Sequence, residues 1–107
     1  MLPLSQPVFH ILLALADEDR HGYAIMQEVE ERTRGAVRMG PGTLYGAIKR
    51  LRSDGLIEER DNSGQGQDER RRIYSLTSRG RALAVLESRR LASLVDAARS
   101  KRLIEAR

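Results

Sequence analysis

The residues in this chain best placed to do chemistry are cationic. Between Arg38 and Ser53 stand Arg38, Lys49, Arg50 and Arg52 with no acidic residue, so a face presented from that stretch would attract a polyanion. Helical spacing sorts the same residues. Leu44, Ile48 and Leu51 recur at i, i+4 and i+7, while Thr43, Gly46, Lys49, Arg50 and Ser53 fall on the opposite side. One face packs and the other is left to touch a partner. Gly42 and Gly46 add little bulk there, which suits insertion into a groove better than a protein contact driven by large side chains. Taken alone, the charge cluster also fits a solvated surface helix.

Other chemistries lack their parts. The two histidines, His10 and His21, have no nucleophile pattern beside them, and the acidic residues lie on polar faces rather than among apolar neighbours. Gly40-Pro41-Gly42 has neither the preceding strand nor the spacing of a nucleotide-binding loop. With no cysteine, disulfides, thiolate zinc sites and cysteine nucleophiles are excluded. No enzyme activity, cofactor or metal is expected. His10 reads as a packed or hydrogen-bonded helix residue.

The elements that must position the basic face can be read from their boundaries. Ser5 caps a first helix with Pro7 in its first turn, and residues 8–16 are apolar nearly all round. Asp17 to Arg20 form a polar turn. A second helix runs from His21 to Gly35 with Gly22, Ile25, Met26 and Val29 inward and an acidic outer face. Its N-terminal end, with His21 and Tyr23, is the part suited to a phosphate; Tyr23 fits a core-edge aromatic equally well. Pro41 starts the third helix and Gly55 supplies the left-handed residue that stops it.

Past Gly55, Leu56 and Ile57 open one strand and a second returns through Arg70, Arg71, Arg72, Tyr74 and Leu76, with an all-polar tip between. This predicts a β-hairpin with three arginines on its returning strand, packed on the helices because a lone hairpin is marginal in water. Thr77 caps a last helix, on which Leu91, Leu94, Val95 and Ala98 line one face, with Ala84 earlier and Leu83 and Leu86 alongside. Such a stripe exceeds what three short helices can cover. It calls for a second copy of the chain, the alternative being a helix folded back on its own domain.

Length and charge agree with one small domain carrying an arm. The 107 residues suffice for a modest core. The net charge of +4 is unevenly held, since residues 1–69 sum to −4 and residues 70–107 to +8. No apolar run spans a bilayer and no basic segment precedes the first apolar stretch, so cytoplasmic residence without membrane attachment is the expectation.

Several of these segments together carry a family resemblance: His21-Gly22-Tyr23, residues 40–46 with Pro41-Gly42-Thr43-Leu44-Tyr45, Leu51, Asp54 to Ile57, and Arg72 to Thr77 with Gly80. The chain resembles the PadR family of bacterial transcriptional regulators over nearly its whole length. The resemblance implies a mainly α fold with a small β-hairpin: a winged helix-turn-helix DNA-binding domain at residues 1–77 and a C-terminal dimerisation helix at residues 78–107, as in the short members. It also implies homodimers on palindromic double-stranded DNA operators, with repression frequently relieved by a small-molecule effector. Gly42, Thr43, Tyr45 and Gly46 match the start of the family's recognition helix, and Arg70, Arg71 and Arg72 its basic wing. Lys49 and Arg50 join them by helical position, and Pro41, His21 and Tyr23 complete the expected DNA-binding set. Leu83, Leu91, Leu94, Val95 and Ala98 form the expected dimer interface. The competing class is a winged-helix protein-interaction module with no DNA affinity.

Overall fold

Helix ends decide where this chain turns. The computed structural model describes residues 2–60 and 72–105, which form α1 (Gln6–Ala16), β1 (Arg20–His21), α2 (Gly22–Arg32), α3 (Pro41–Ser53), β2 (Ile57–Arg60), β3 (Ile73–Leu76) and α4 (Ser78–Ser100). Ser5 caps α1 by accepting from the Val8 N–H at 3.4 Å, and Thr77 caps α4 by accepting from the Gly80 N–H at 3.0 Å. At the far end of α1, Arg20 Nε donates to the Ala14 carbonyl at 2.6 Å and Arg81 Nη2 to the Ala16 carbonyl at 2.8 Å. These cations satisfy carbonyls that the helix leaves without partners.

The helix stops follow one plan. After α3 the Leu56 N–H reaches the Leu51 carbonyl at 2.9 Å and the Gly55 N–H the Arg52 carbonyl at 3.0 Å, with Gly55 at φ +76°. The second helix closes the same way but earlier than expected. It ends at Arg32, and Arg34 takes the left-handed position at φ +54° before Gly35 at φ +82°. Gly35 therefore stands second in the closing pair, its N–H bonded to the Glu30 carbonyl at 2.8 Å.

The sheet has three antiparallel strands in the order β1-β3-β2, so the expected hairpin gains a strand. Arg20 pairs with Tyr74 and His21 with Ile73 on one side of β3, and Ile57 pairs with Leu76 through to Arg60 with Ile73 on the other. The polar turn read from Asp17 to Arg20 thus ends in a strand. Two residues offer no alternation to read, and it is β3, fifty residues away in the chain, that makes them a strand. The expected polar tip, with Arg70 and Arg71, lies outside the described residues.

One core serves all of these elements. Ile11, Leu12 and Leu15 of α1 meet Ile25 and Val29 of α2, the Leu44, Ile48, Leu51 row of α3, and Leu56, Ile57, Tyr74 and Ala84. Each fully buried aliphatic residue contributes about 1.5–3 kcal/mol. His10, at the rim, accepts from Arg32 Nη2 through its carbonyl at 3.0 Å, with the same guanidinium 3.2 Å from Nδ1. Partial burial first and the Arg32 charge second lower its pKa, as suits a structural histidine.

At its root α4 lies against the start of β2 with almost no clearance. A Cβ on Gly80 would sit 2.0 Å from the Leu56 carbonyl oxygen, a position only glycine can take. From there Gly80, Ala84 and Glu87 are buried on one side of the helix, and Leu91, Leu94, Val95 and Ala98 continue that same side by helical spacing. The outer part leaves the domain: Leu94 is 56 % and Val95 40 % exposed, while Leu83 packs partly buried on the chain's own core. The radius of gyration is 15.4 Å, against about 13 Å for a compact chain of this length.

Glu87 is the charged group in the inner row. Its carboxylate accepts from Arg90 Nε at 2.6 Å and Nη2 at 3.0 Å, and from the Leu4 N–H at 3.0 Å. The Arg90 hydrogen bonds hold its pKa below the usual carboxylate range, aided by the Leu4 N–H and opposed by desolvation.

Two outcomes are expected. Gly80→Ala should lower stability by about 3 kcal/mol because a backbone carbonyl has to move, whereas Gly42→Ala, whose new methyl meets nothing within 4 Å, should raise it by up to about 0.5–1 kcal/mol in thermal unfolding. A carboxylate with a depressed folded-state pKa adds stability above its ordinary value near 4.5 and loses it as pH falls through the depressed value. Urea denaturation from neutral pH down to about pH 3 should therefore show a steeper acid loss for the native chain than for Glu87→Gln; parallel profiles would place the acid sensitivity elsewhere.

Candidate nucleic-acid interface

The third helix is anchored by Leu44, Ile48 and Leu51 and presents Pro41, Gly42, Thr43, Gly46, Lys49, Arg50 and Ser53 exposed on the other side. Gly40 at its N-cap and His21 at the N-cap of α2 supply no side-chain hydrogen bond. Both helix starts thus keep backbone donors and positive dipole ends available to an anion.

The glycines fall into two kinds. Gly22 faces Tyr45, whose hydroxyl oxygen would lie 2.5 Å from an added Cβ and whose ring atoms would lie 2.8 and 2.9 Å away. With the Tyr45 ring where it stands, only a glycine fits there, and it lets α3 nest on the first turn of α2. At Gly42 and Gly46 an added Cβ would meet nothing within 4 Å among the described residues. A glycine inside a helix costs about 0.5–1 kcal/mol relative to alanine, so internal packing gives no reason for either.

The sequence-derived site residues divide accordingly. Pro41, Gly42, Thr43, Gly46, Lys49 and Arg50 share the open face. Tyr45 is half-buried with its ring turned onto Gly22, so it orients the helix. His21 is exposed at the edge of β1, and Tyr23 is 52 % exposed rather than a core-edge ring. Arg72 is half-buried at the root of β3, its Nε 3.8 Å from Glu59 Oε2. Arg70 and Arg71 lie outside the described residues. Arg52 was legible as part of the basic cluster, but its partner was not: Nη1 lies 3.4 Å from Glu59 Oε1 across the α3–β2 turn. Local spacing carries no signal for that pairing.

A three-helix domain with an antiparallel wing, an open basic helix and a protruding terminal helix defines a winged helix-turn-helix regulator. Residues 11–85 match the family described as "Transcriptional regulator PadR-like family", and the chain belongs to that family. It is a transcriptional regulator and not an enzyme. The chain is 41 % identical over 81 residues to the transcriptional regulator Rv3488 of Mycobacterium tuberculosis, covering 76 % of this chain and 70 % of that protein. It is 39 % identical over 84 residues to an uncharacterized 37.1 kDa protein in a Streptomyces fradiae transposon, covering 78 % of this chain but spanning only 22 % of that longer protein. Among solved structures, a PadR family transcription regulator from Clostridium difficile superposes with a TM-score of 0.72 at 25 % identity, over 94 % of this chain and 100 % of the other. RosR of H. salinarum superposes with a TM-score of 0.64 at 28 % identity, over 98 % and 83 %. Among the described residues no helix is long and apolar enough to cross a membrane.

Proposed function

We propose that the chain is a sequence-specific duplex-DNA-binding regulator that acts in the cytoplasm as a homodimeric repressor on a palindromic operator. The observation that carries this reading is the pair of glycines, Gly42 and Gly46, on a basic helix face where the fold has no use for them. Without side chains there, the backbone of α3 can come close to the floor of a major groove while Thr43 reaches base edges and Lys49 and Arg50 meet bases or phosphates. Pro41, His21 and Tyr23 flank this face at two helix N-termini, where phosphate is favoured. Arg72, at the root of the returning strand, is assigned with Arg70 and Arg71 to flanking phosphates or the minor groove.

The division of labour follows the chain, with residues 1–77 reading DNA and residues 78–107 pairing two copies. The apolar side of α4 runs off the domain at Leu91, Leu94, Val95 and Ala98, and a second copy related by a two-fold axis would cover it. Leu83, packed on its own core, sits at the edge of that surface. Pairing would hold two recognition helices at half-sites about 34 Å apart, one turn of duplex. Relief by a small-molecule effector belongs to the same proposal, with no residues assigned to the molecule.

Two measurements test the parts separately. Binding to duplexes selected from a random pool should weaken roughly 10- to 100-fold in the Lys49→Ala, Arg50→Ala double variant, with folding and oligomeric state intact; unchanged affinity would move the interface off α3 or support a protein-interaction module. Leu94→Asp should sediment as a monomer and lose tight operator binding, because burying a leucine is worth about 1.5–3 kcal/mol and two-fold symmetry counts the change twice. Arg89→Asp, exposed on α4, is the control expected to remain dimeric. A dimer that survives Leu94→Asp would show pairing through another surface.

A further inference from the structure

Glu59 stands on β2 opposite Tyr74 of β3 and faces two arginines from different elements. Oε1 lies 3.4 Å from Arg52 Nη1, in the last turn of α3, and Oε2 lies 3.8 Å from Arg72 Nε, at the root of the returning strand. The three side chains are 29–43 % exposed, so water screens the Arg52 pair, while Arg72 Nε is itself buried and makes no hydrogen bond among the described residues. Both distances exceed those of good charge-assisted hydrogen bonds. The exposed Arg52 pair adds little to stability, and at 3.8 Å the carboxylate makes no hydrogen bond to the buried Arg72 Nε, so fold stability is a weak reason for the carboxylate to be there. Arg52 and Arg72 also line, with Lys49, Tyr45, Ile48 and Tyr74, a cleft of about 280 Å³ between α3 and the sheet. The carboxylate therefore stands at the seam where the helix and the wing meet, among the cations that a phosphate would seek.

We propose that Glu59 is a specificity-determining residue that restrains sequence-independent DNA binding by competing with phosphate for Arg52 and Arg72. The proposal rests on the DNA-binding reading above and adds to it a negative group within the positive face. Cations free to meet any phosphate bind every duplex, and each such contact steepens the salt dependence of binding. A carboxylate shared between two arginines opposes this. It repels phosphate, and each guanidinium has to leave Glu59 before meeting DNA. Release becomes favourable when base contacts from α3 hold the duplex against the wing, so the restraint acts mainly on wrong sequences. Specificity of this kind arises from disfavouring competitors rather than from added contacts to the correct site.

The test compares the native chain with Glu59→Gln, which keeps the side chain's size and removes its charge. Each is titrated with a duplex selected from a random pool and with a scrambled duplex of the same length, over a range of salt concentrations. Glu59→Gln should bind the scrambled duplex more tightly, on the order of tenfold, and the selected duplex by a smaller factor, with a salt slope steeper by about one unit. Adding Arg52→Ala should return the scrambled affinity toward that of the native chain. Unchanged or weaker scrambled binding by a folded Glu59→Gln chain would overturn the proposal while leaving DNA binding standing, since the native chain's titration reports that separately. A native chain that binds neither duplex would overturn both. If Glu59→Gln does not fold, Glu59→Asp is read in the same way, its shorter side chain drawing back from both arginines. A smaller rise in scrambled affinity supports the proposal and no rise overturns it.

Discussion

Gly80 and the Leu56 carbonyl meet at a distance that leaves no room for a side chain, and the other functional elements are placed by that contact. Around it the Thr77 hydroxyl lies 2.7 Å from the Gly55 carbonyl and 3.0 Å from the Leu56 carbonyl, and it accepts the Gly80 N–H. The Thr77 N–H also donates to the Leu56 carbonyl at 3.1 Å. Within this one patch α3 has just ended, β2 begins, β3 ends and α4 starts. A single threonine with a single glycine thus fixes helix, wing and arm relative to one another. These bonds tie the end of α3 to the start of α4 across some twenty residues of chain, and two of the three hydroxyl bonds are partly buried, the conditions under which a hydrogen-bond network specifies geometry.

The same principle sorts the other glycines by what surrounds them. Gly22 is a concession to Tyr45, and together they seat α3 on α2 with the open face outward. Gly42 and Gly46 cost helix stability and meet nothing within 4 Å among the described residues, the local inconsistency on which the proposed DNA contact rests. The pattern extends to charge. Arg20 and Arg81 are consumed in closing α1, and Arg52 and Arg72 are held by Glu59. Lys49 and Arg50 stand exposed on α3.

Much of this was legible in the sequence because its cues are local. Ser5, Pro7, Pro41, Gly55 and Thr77 mark helix ends by chemistry that acts within four or five residues, and the Leu44, Ile48, Leu51 row announces which side of α3 is buried. What escaped depends on partners far along the chain. Strand β1 exists because Tyr74 and Ile73 pair with it, the inward turn of Tyr45 depends on an absent side chain at position 22, and Glu59 acquires meaning only when Arg52 and Arg72 converge on it. The early end of α2 is of another sort. Arg34 adopts a left-handed conformation at which an ordinary residue is strained by roughly 1–2 kcal/mol, and a reading by residue type gave that place to the neighbouring glycine.

The terminal helix is held at its root and free along its outer half. Its 23 residues extend about 35 Å at 1.5 Å per residue, but Ala84 and Glu87 still bury on the domain and Glu87 takes the Leu4 N–H, so the free lever is the outer part past Glu87, roughly 20 Å long. A rotation of about 10° at its base would carry the far end roughly 3.5 Å sideways, the rise of about two residues along a neighbouring helix. Mechanical precision is therefore required where the arm begins. A substitution at the fulcrum would be read out at the tip as misalignment, far from the atom that changed.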